Sequence, residues 1–210
     1  MERFFRDNGL SLALLAMFIA SLGGMALTGH AAHNQQLAAH AQSTVSLGSY
    51  LLGGAFLSAL FENWESEFLQ MAVFVVLTAI LFQRGSAESR DPDAPEREND
   101  AVAWRVRYPS LGWLYEHSLG LALAFLFVAS FALHCWFSLI NANREASLHG
   151  REAQSILSYL GDSQLWFESF QNWQSEFLST AVLVLLSIFL RHRGSPESKP
   201  MGAAHRDTGD

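Results

Sequence analysis

The fold of this chain is decided by two stretches, FENWESEFL at residues 61–69 and FQNWQSEFL at residues 170–178. They lie 109 residues apart, and the same shift places RGSAES at 84–89 on RGSPES at 193–198. About a third of the positions agree, without a gap, over most of the two halves. Self-similarity at one fixed interval indicates a repeat. The chain therefore consists of two tandem copies of one unit.

The composition is typical of a membrane protein. Half of the 210 residues are hydrophobic, and only 16% are charged, whereas a soluble domain carries about 25% charged residues. The formal net charge of −7 provides no basic surface for nucleic acid, which is excluded as a partner. Cys135 is the single cysteine, so an intramolecular disulfide and a multi-cysteine metal site are excluded as well.

Each copy contains two apolar segments long enough to cross a bilayer, which requires about 20 residues. These segments are residues 10–28 and 64–83 in copy one, and residues 118–140 and 173–192 in copy two. The first one also resembles a signal peptide, because Arg3 and Arg6 precede it. However, the same element recurs in the middle of the chain, where no signal peptide can lie. We therefore predict four uncleaved transmembrane helices.

A further apolar segment in each copy is too short or too polar to span. Residues 47–61 are apolar but too few, and the counterpart at 156–172 contains Asp162 and Glu168. An aspartate at the centre of a spanning helix costs about 2.5–3.5 kcal/mol. We therefore predict that both segments are interfacial or re-entrant helices on the non-cytoplasmic side of the membrane.

The distribution of basic residues predicts the topology. With two spans per copy, residues 1–9, 84–117 and 191–210 lie on one side and carry most of the 13 Lys and Arg residues. Basic residues accumulate in cytoplasmic loops, so both termini are expected in the cytoplasm. An even number of spans makes the copies parallel, related by a pseudo-twofold axis along the membrane normal. The predicted fold is an all-α membrane protein with two tandem two-helix repeats.

The domain organisation follows from these boundaries. Repeat one covers residues 1–89, a charged cytoplasmic linker covers 90–109, repeat two covers 110–198, and a polar tail covers 199–210. The linker and the tail contain few apolar residues that could be buried. We therefore expect both to be solvated and at least partly disordered.

A polar seam follows the repeated motif along each second helix. At about 100° per residue, one face carries Asn63, Glu67, Gln70 and Thr78 in copy one, and Asn172, Glu176, Ser179 and Ser187 in copy two. Polar residues within a membrane normally face the bundle interior. The pseudo-twofold axis would bring Glu67 near Glu176, where two carboxylates can share a proton or bind a cation. The alternative is a helix start, with Asn63 as the N-cap and Trp64 and Trp173 as interface anchors.

The histidines are weaker candidates for a metal site. Four of them lie near the outer ends of the first spans: His30, His33, His40 and His149. Only His40 and His149 occupy equivalent positions in the two copies, so solvated loop histidines are the alternative to metal ligands. His134 lies within a predicted span, where we expect it to pack against a neighbouring helix, and the sequence assigns it no partner. No cofactor is predicted.

The doubled Asn-Trp-x-Ser-Glu-Phe-Leu motif, followed by a span and RGSxES, resembles an uncharacterised family of bacterial multi-pass membrane proteins, a domain of unknown function. The resemblance implies a location in the bacterial cytoplasmic (inner) membrane and brings no established activity.

The polar seams favour the handling of a small solute or ion, such as a proton or another cation, by a protein that is not an enzyme. Two alternatives remain open at this point. One is a structural, stress-related, protein-binding or lipid-binding membrane protein, and the other is a membrane redox protein. The expected partners are the lipid bilayer, a small ion or solute, and a second copy of the chain in a homo-oligomer.

Overall fold

The computed structural model describes residues 2–95 and 109–209, which form helices joined by turns and short loops. The helices are α1 (Glu2–Ala39), α2 (Leu47–Leu51), α3 (Gly54–Ile80), α4 (Pro109–Glu116), α5 (Ser118–Leu148), α6 (Ile156–Tyr159) and α7 (Ser163–Phe189). No strand occurs among these described residues. The prediction of an all-helical protein is therefore confirmed.

The two halves have similar local structure. Each contains a long helix, then a helix of about one turn, then a helix of 27 residues. The short helices α2 and α6 begin in the same way, because the hydroxyls of Ser46 and Ser155 each accept a hydrogen bond from the backbone N–H three residues later. Serine is a preferred N-cap residue because its oxygen satisfies an N–H group that has no partner within the helix.

The predicted interfacial helices differ from the observed ones in their bounds. The segment at 47–61 is divided between α2 and α3, and the segment at 156–172 between α6 and α7. Gly53 is the N-cap residue of α3, and Asp162 caps α7 by accepting a hydrogen bond from the backbone N–H of Gln164. Glycine and aspartate both favour N-cap positions, which explains why a new helix starts there. As a result, α3 and α7 begin well before the predicted second spans.

Two helices are long and apolar enough to cross a membrane: the segment Arg3–Ala39 of α1, and α5. Four were predicted, but three glutamates interrupt α3 between residues 62 and 67, and the first turns of α7 contain polar residues, so each helix has only a short apolar part. In α3, the apolar part extends from Phe68 to Ile80, where the helix ends. At about 1.5 Å per residue it covers about 20 Å of a hydrocarbon layer that is about 30 Å thick. The structure thus supports two candidate spans.

The helix α3 lies at the centre of the packing, against α5 along its length and against α7. The buried side chains of α3 are Phe56, Ser58, Glu65, Ser66 and Ala72. Those of α5 are Ser130, His134, Cys135, Ser138 and Leu139. The main interface therefore joins the second helix of one half to the first helix of the other half, and it contains polar as well as apolar side chains.

Gly54 lets the start of α3 cross the backbone of α5 closely. A Cβ at position 54 would lie 2.9 Å from the carbonyl oxygen of Phe137 and 3.0 Å from the backbone nitrogen of Asn141. We expect Gly54→Ala to lower the stability by about 1–3 kcal/mol, the usual cost of overpacking, and to lower the Tm in detergent. The matched control is Gly48→Ala, where a Cβ meets nothing within 4 Å. Equal changes in Tm for the two variants would contradict the close crossing.

The C-terminal tail is hydrogen-bonded within itself and to the loop after α3, although most of its described residues from 200 to 209 are exposed. Lys199 is buried, and its Nζ donates to three backbone carbonyl oxygens between residues 204 and 207. Desolvation by this burial lowers the pKa of Lys199. The backbone N–H of Gly85 donates to Oγ1 of Thr208. One lysine thus holds the tail around itself, and hydrogen bonds at Thr208 and Gly209 attach the tail to the loop after α3.

Most of the predicted charged linker, residues 96–108 of 90–109, lies outside the described residues. Just before it, both terminal nitrogens of Arg84 donate to the carboxylate of Asp93. This guanidinium holds the pKa of Asp93 below its usual range. The pair is solvent-exposed, so its contribution to stability is small.

Candidate functional site

The helix α5 carries a buried imidazole, His134, that is paired with a carboxylate of α3. Its Nδ1 lies 3.0 Å from Oε2 of Glu65, and both side chains are 0% exposed. The other oxygen of Glu65 accepts a hydrogen bond of 2.9 Å from the hydroxyl of Ser169 on α7. Burying a charge is costly unless the group is paired and hydrogen-bonded. Three helices therefore meet at one buried carboxylate that has a partner for each oxygen.

The other ring nitrogen of His134, Nε2, faces Glu168 of α7. It lies 3.6 Å from Oε2 of Glu168, a distance too long for a hydrogen bond, and it is a buried nitrogen without a hydrogen-bond partner. Glu168 is held by Gln164, which donates to Oε1 at 2.8 Å, and by Ser138, which donates to Oε2 at 3.4 Å. Nε2 of His134 thus faces the carboxylate of Glu168, which two hydrogen bonds hold in place, without a hydrogen bond between them.

Glu62 lies close to both of these groups. It precedes Glu65 by three residues on α3, so the two carboxylates share one face of the helix. Its Oε1 accepts a hydrogen bond of 2.6 Å from Nδ2 of Asn172. A carboxylate oxygen of Glu62, one of Glu168 and a ring nitrogen of His134 all lie within 4.8 Å of one another. We call Glu62, Glu65, His134 and Glu168 the Glu–His cluster.

The Glu–His cluster contains more potential negative than positive charge. Three carboxylates surround one imidazole, and in the part of the chain that the structure describes no Arg or Lys pairs with any of the three. Away from water, interactions between charges are much stronger than in solution. The cluster is therefore an arrangement that attracts a cation.

The start of the predicted polar seam lies elsewhere on α3. Asn63 and Glu67 are exposed, and Nδ2 of Asn63 donates to a carbonyl oxygen of its own helix. Because α3 begins at Gly54, Asn63 is not an N-cap residue, and the helix-start explanation of the motif is wrong. Glu176 is half-buried and lies within electrostatic reach of Glu67.

The remaining seam residues have separate partners. Gln70 donates to Oγ1 of Thr180 at 2.7 Å and so joins α3 to α7. Ser187 is buried, and its hydroxyl lies 2.8 Å from that of Ser86. Asn172 binds Glu62, as described above. The other two donate to carbonyl oxygens of their own helices: Thr78 and Ser179.

The two tryptophans predicted as interface anchors lie in aromatic clusters. The ring of Trp64 contacts those of Phe18 on α1 and Phe61 on α3. The ring of Trp173 contacts four others: Phe127, Phe131, Trp166 and Phe170. Their place at a membrane boundary stays a prediction.

The four outer histidines do not form a cluster of metal ligands. His40 and His149 each contact, through Nδ1, the carbonyl oxygen four residues earlier in their own helix. They line, with His33, a cavity of about 360 Å³. His30 contacts the carbonyl oxygen of Val45. Over residues 2–95 and 109–209, the one group of three metal-ligating side chains within reach of each other is Glu62, His134 and Glu168.

The sequence analysis did not identify the Glu–His cluster, because its members lie at positions where the two copies differ. The residues that the 109-residue shift pairs with them are neutral: Glu62 pairs with Gln171, Glu65 with Gln174, His134 with Met25, and Glu168 with Ala59. The motif therefore occurs twice per chain, and the cluster once. The signal that was available is this set of charged residues at positions where the other copy is neutral.

These features define an all-helical protein with two helices of membrane-spanning length and a buried carboxylate–imidazole cluster between its halves. The chain belongs to a family described as a domain of unknown function, DUF6766, whose model matches residues 1–210. Membership in an uncharacterised family was expected and is confirmed. Comparison with curated proteins and with solved structures gives no match.

Proposed function

We propose that this protein crosses the bacterial cytoplasmic membrane with two helical hairpins and handles a small cation at the Glu–His cluster. In this arrangement α1 and α5 are the long spans, and α3 and α7 complete the hairpins with their shorter apolar parts. Residues 84–117 and 191–210 hold most of the Lys and Arg, which favours a cytoplasmic location for both termini. The function is supported above all by the excess of buried carboxylates around His134.

The proposed orientation places the Glu–His cluster near the non-cytoplasmic face. His134 lies about 24 Å along α5 from its cytoplasmic start. Glu62 and Glu65 precede the apolar part of α3, which leads back towards the cytoplasm. A cation arriving from outside therefore reaches the cluster before it enters the apolar layer. Ionisable residues within a spanning helix, such as His134 of α5, commonly belong to ion pathways.

A groove between α3 and α7 offers a route from this region towards the cytoplasmic loops. Its volume is about 490 Å³, and its lining is mainly apolar. Gln70, Thr78 and Thr180 are polar exceptions along it, and Gln83 and Ser89 lie at its cytoplasmic end. Two residues of the predicted seam thus line the groove, and we include them in the proposed route.

Uptake into proteoliposomes tests this function. The full chain is reconstituted with indicator dyes inside, and Na⁺, Mn²⁺, Zn²⁺ or a proton gradient is applied outside. We expect uptake of at least one cation above that of protein-free vesicles. The double variant Glu62→Gln/Glu168→Gln should reduce it about tenfold or more, because the loss of groups at a cation site costs about 10–100-fold.

The matched control for this pair is Glu67→Gln/Glu176→Gln, which removes two seam carboxylates outside the Glu–His cluster. Loss of uptake in the control pair alone would place the function in the polar seam instead. Absence of uptake for every cation, in vesicles that contain folded protein, would contradict cation handling.

A second candidate function, binding of lipid or another protein, is favoured by the surface of α1. Large apolar side chains are exposed along most of this helix, among them Phe4, Leu10, Leu14, Met17 and Leu27. An apolar surface of this extent needs lipid or a partner to cover it. A photo-crosslinker at position 14 separates the cases. Capture of lipid and of a second copy fits the spanning arrangement, whereas consistent capture of one other protein supports the second function.

A further inference from the structure

We propose that the cation bound by the Glu–His cluster is a divalent transition-metal ion, such as Zn²⁺ or Mn²⁺, held by His134, Glu62 and Glu168. This inference rests on the proposed function, because it names the chemical class of the ion that the cluster handles. It also applies if the cluster holds a resident metal rather than one that is transported.

The types of ligand atom select this class of ion. One imidazole nitrogen and two carboxylate oxygens suit Zn²⁺, Mn²⁺ and Fe²⁺. Mg²⁺ and Ca²⁺ are bound mainly through oxygen atoms, and Mg²⁺ keeps several of its waters. An imidazole buried among carboxylates therefore favours a transition metal over the alkaline-earth cations.

The state of His134 provides an observation that is independent of the acidic groups. Nε2 is fully buried, has no hydrogen-bond partner and faces the carboxylate of Glu168. Such a nitrogen costs free energy unless something binds it. A metal ion between Nε2, Glu62 and Glu168 would supply that partner.

Glu65 acts as a positioning residue in this arrangement. Its carboxylate accepts a hydrogen bond from Nδ1–H of His134, so in the neutral imidazole the lone pair of Nε2 is free to bind a metal. A carboxylate behind a metal-binding histidine fixes the tautomer and the ring orientation, and it raises the basicity of the ligand. Ser169 holds the second oxygen of Glu65 and so fixes the carboxylate itself.

The spacing of the ligand atoms requires only a small adjustment. They lie within 4.8 Å of one another, whereas bonds of about 2.0–2.2 Å in tetrahedral geometry separate ligand atoms by about 3.4 Å. Asn172 and Gln164 each occupy one oxygen, of Glu62 and Glu168 respectively. The other oxygen of Glu168 already lies 3.6 Å from Nε2 and accepts only a long hydrogen bond of 3.4 Å, from Ser138.

The test uses the purified full-length protein in detergent, treated with a chelator and then titrated with Zn²⁺, Mn²⁺ or Mg²⁺ by calorimetry. We expect one Zn²⁺ or Mn²⁺ per chain, no comparable binding of Mg²⁺, and a Tm that rises with the metal, because ligands stabilise the state that binds them. Glu62→Gln, His134→Gln and Glu168→Gln should each weaken binding about tenfold or more. The control Glu67→Gln should bind as the original chain does.

Glu65→Gln has a separate readout, because Glu65 acts through His134. Loaded with Co²⁺, this variant should still bind one ion per chain but show a shifted visible absorption band, since the imidazole ligand is altered. An unchanged band together with unchanged affinity would show that Glu65 does not position the ligand.

Two results would overturn the metal assignment. One is Mg²⁺ binding as tight as that of Zn²⁺ and Mn²⁺. The other is an unchanged metal affinity in all three folded ligand variants. If the protein binds no transition metal but takes up Na⁺ or protons in a way that depends on Glu62 and Glu168, this inference fails and cation handling stands. If the metal binds at these residues and no uptake occurs, the inference stands and cation transport fails.

Discussion

Glu65→Leu is expected to destabilise the protein by about 3–5 kcal/mol, the range found when one partner of a buried pair is removed. Leucine fills a similar volume but has no oxygen, so Nδ1 of His134 and the hydroxyl of Ser169 both lose their acceptor. The three side chains are fully buried, so water cannot replace the missing oxygens without opening the interface. The loss is measured as a lower Tm and a lower denaturant midpoint in detergent.

Gln174→Leu is the matched control, since Gln174 is the equivalent residue of the second copy and is exposed. We expect it to change the stability by less than about 0.5 kcal/mol. Glu65→Gln should lie between the two, because the amide keeps one acceptor oxygen. If Glu65→Leu were as mild as Gln174→Leu, the buried network described here would not exist.

The second large effect is a coupling between Glu65 and His134. Glu65→Gln or His134→Met alone leaves one buried polar group without its partner. The double variant introduces the residue types that the repeat itself has at the equivalent positions, Gln174 and Met25. Replacement of both members of a buried pair is often nearly neutral, whereas breaking the pair costs several kcal/mol. We therefore expect the double variant to be more stable than the sum of the two single effects predicts, by about 2–3 kcal/mol.

The control for this cycle combines His134→Met with Glu67→Gln, because Glu67 is exposed and lies outside the Glu–His cluster. Those two changes should add to within about 0.5 kcal/mol. Additive effects in the Glu65 and His134 cycle would mean that the two side chains do not interact in the folded protein.

The helical fold could be predicted because its main signal is local. Apolar runs without charges predicted spans at 10–28 and 118–140, and both lie inside the long helices α1 and α5. The starts of α3 and α7 were predicted too late. Glutamates between residues 62 and 67 separate the first turns of α3 from its later apolar part, and the first turns of α7 are polar, so an estimate based on long apolar runs starts both helices too late. Capping by Gly53 and Asp162 decides these starts.

The site could not be predicted in the same way, because it depends on which helices pack together. The repeat drew attention to positions that are the same in both copies, such as Glu67 and Glu176. The Glu–His cluster uses positions where the copies differ, and it forms because α3 of the first half packs against α5 and α7 of the second. Glu168 was interpreted from the sequence only as evidence against a spanning helix. In the structure it lies beside His134.

The central claim is that a divalent transition-metal ion binds within the Glu–His cluster, and a crystal structure of the protein in lipid, grown with Zn²⁺, tests it most directly. We predict one anomalous peak per chain within about 2.0–2.2 Å of Nε2 of His134 and of an oxygen of Glu62 and of Glu168. A peak between Glu67 and Glu176, a peak at the outer histidines alone, or a cluster without any peak at a saturating Zn²⁺ concentration would contradict the claim.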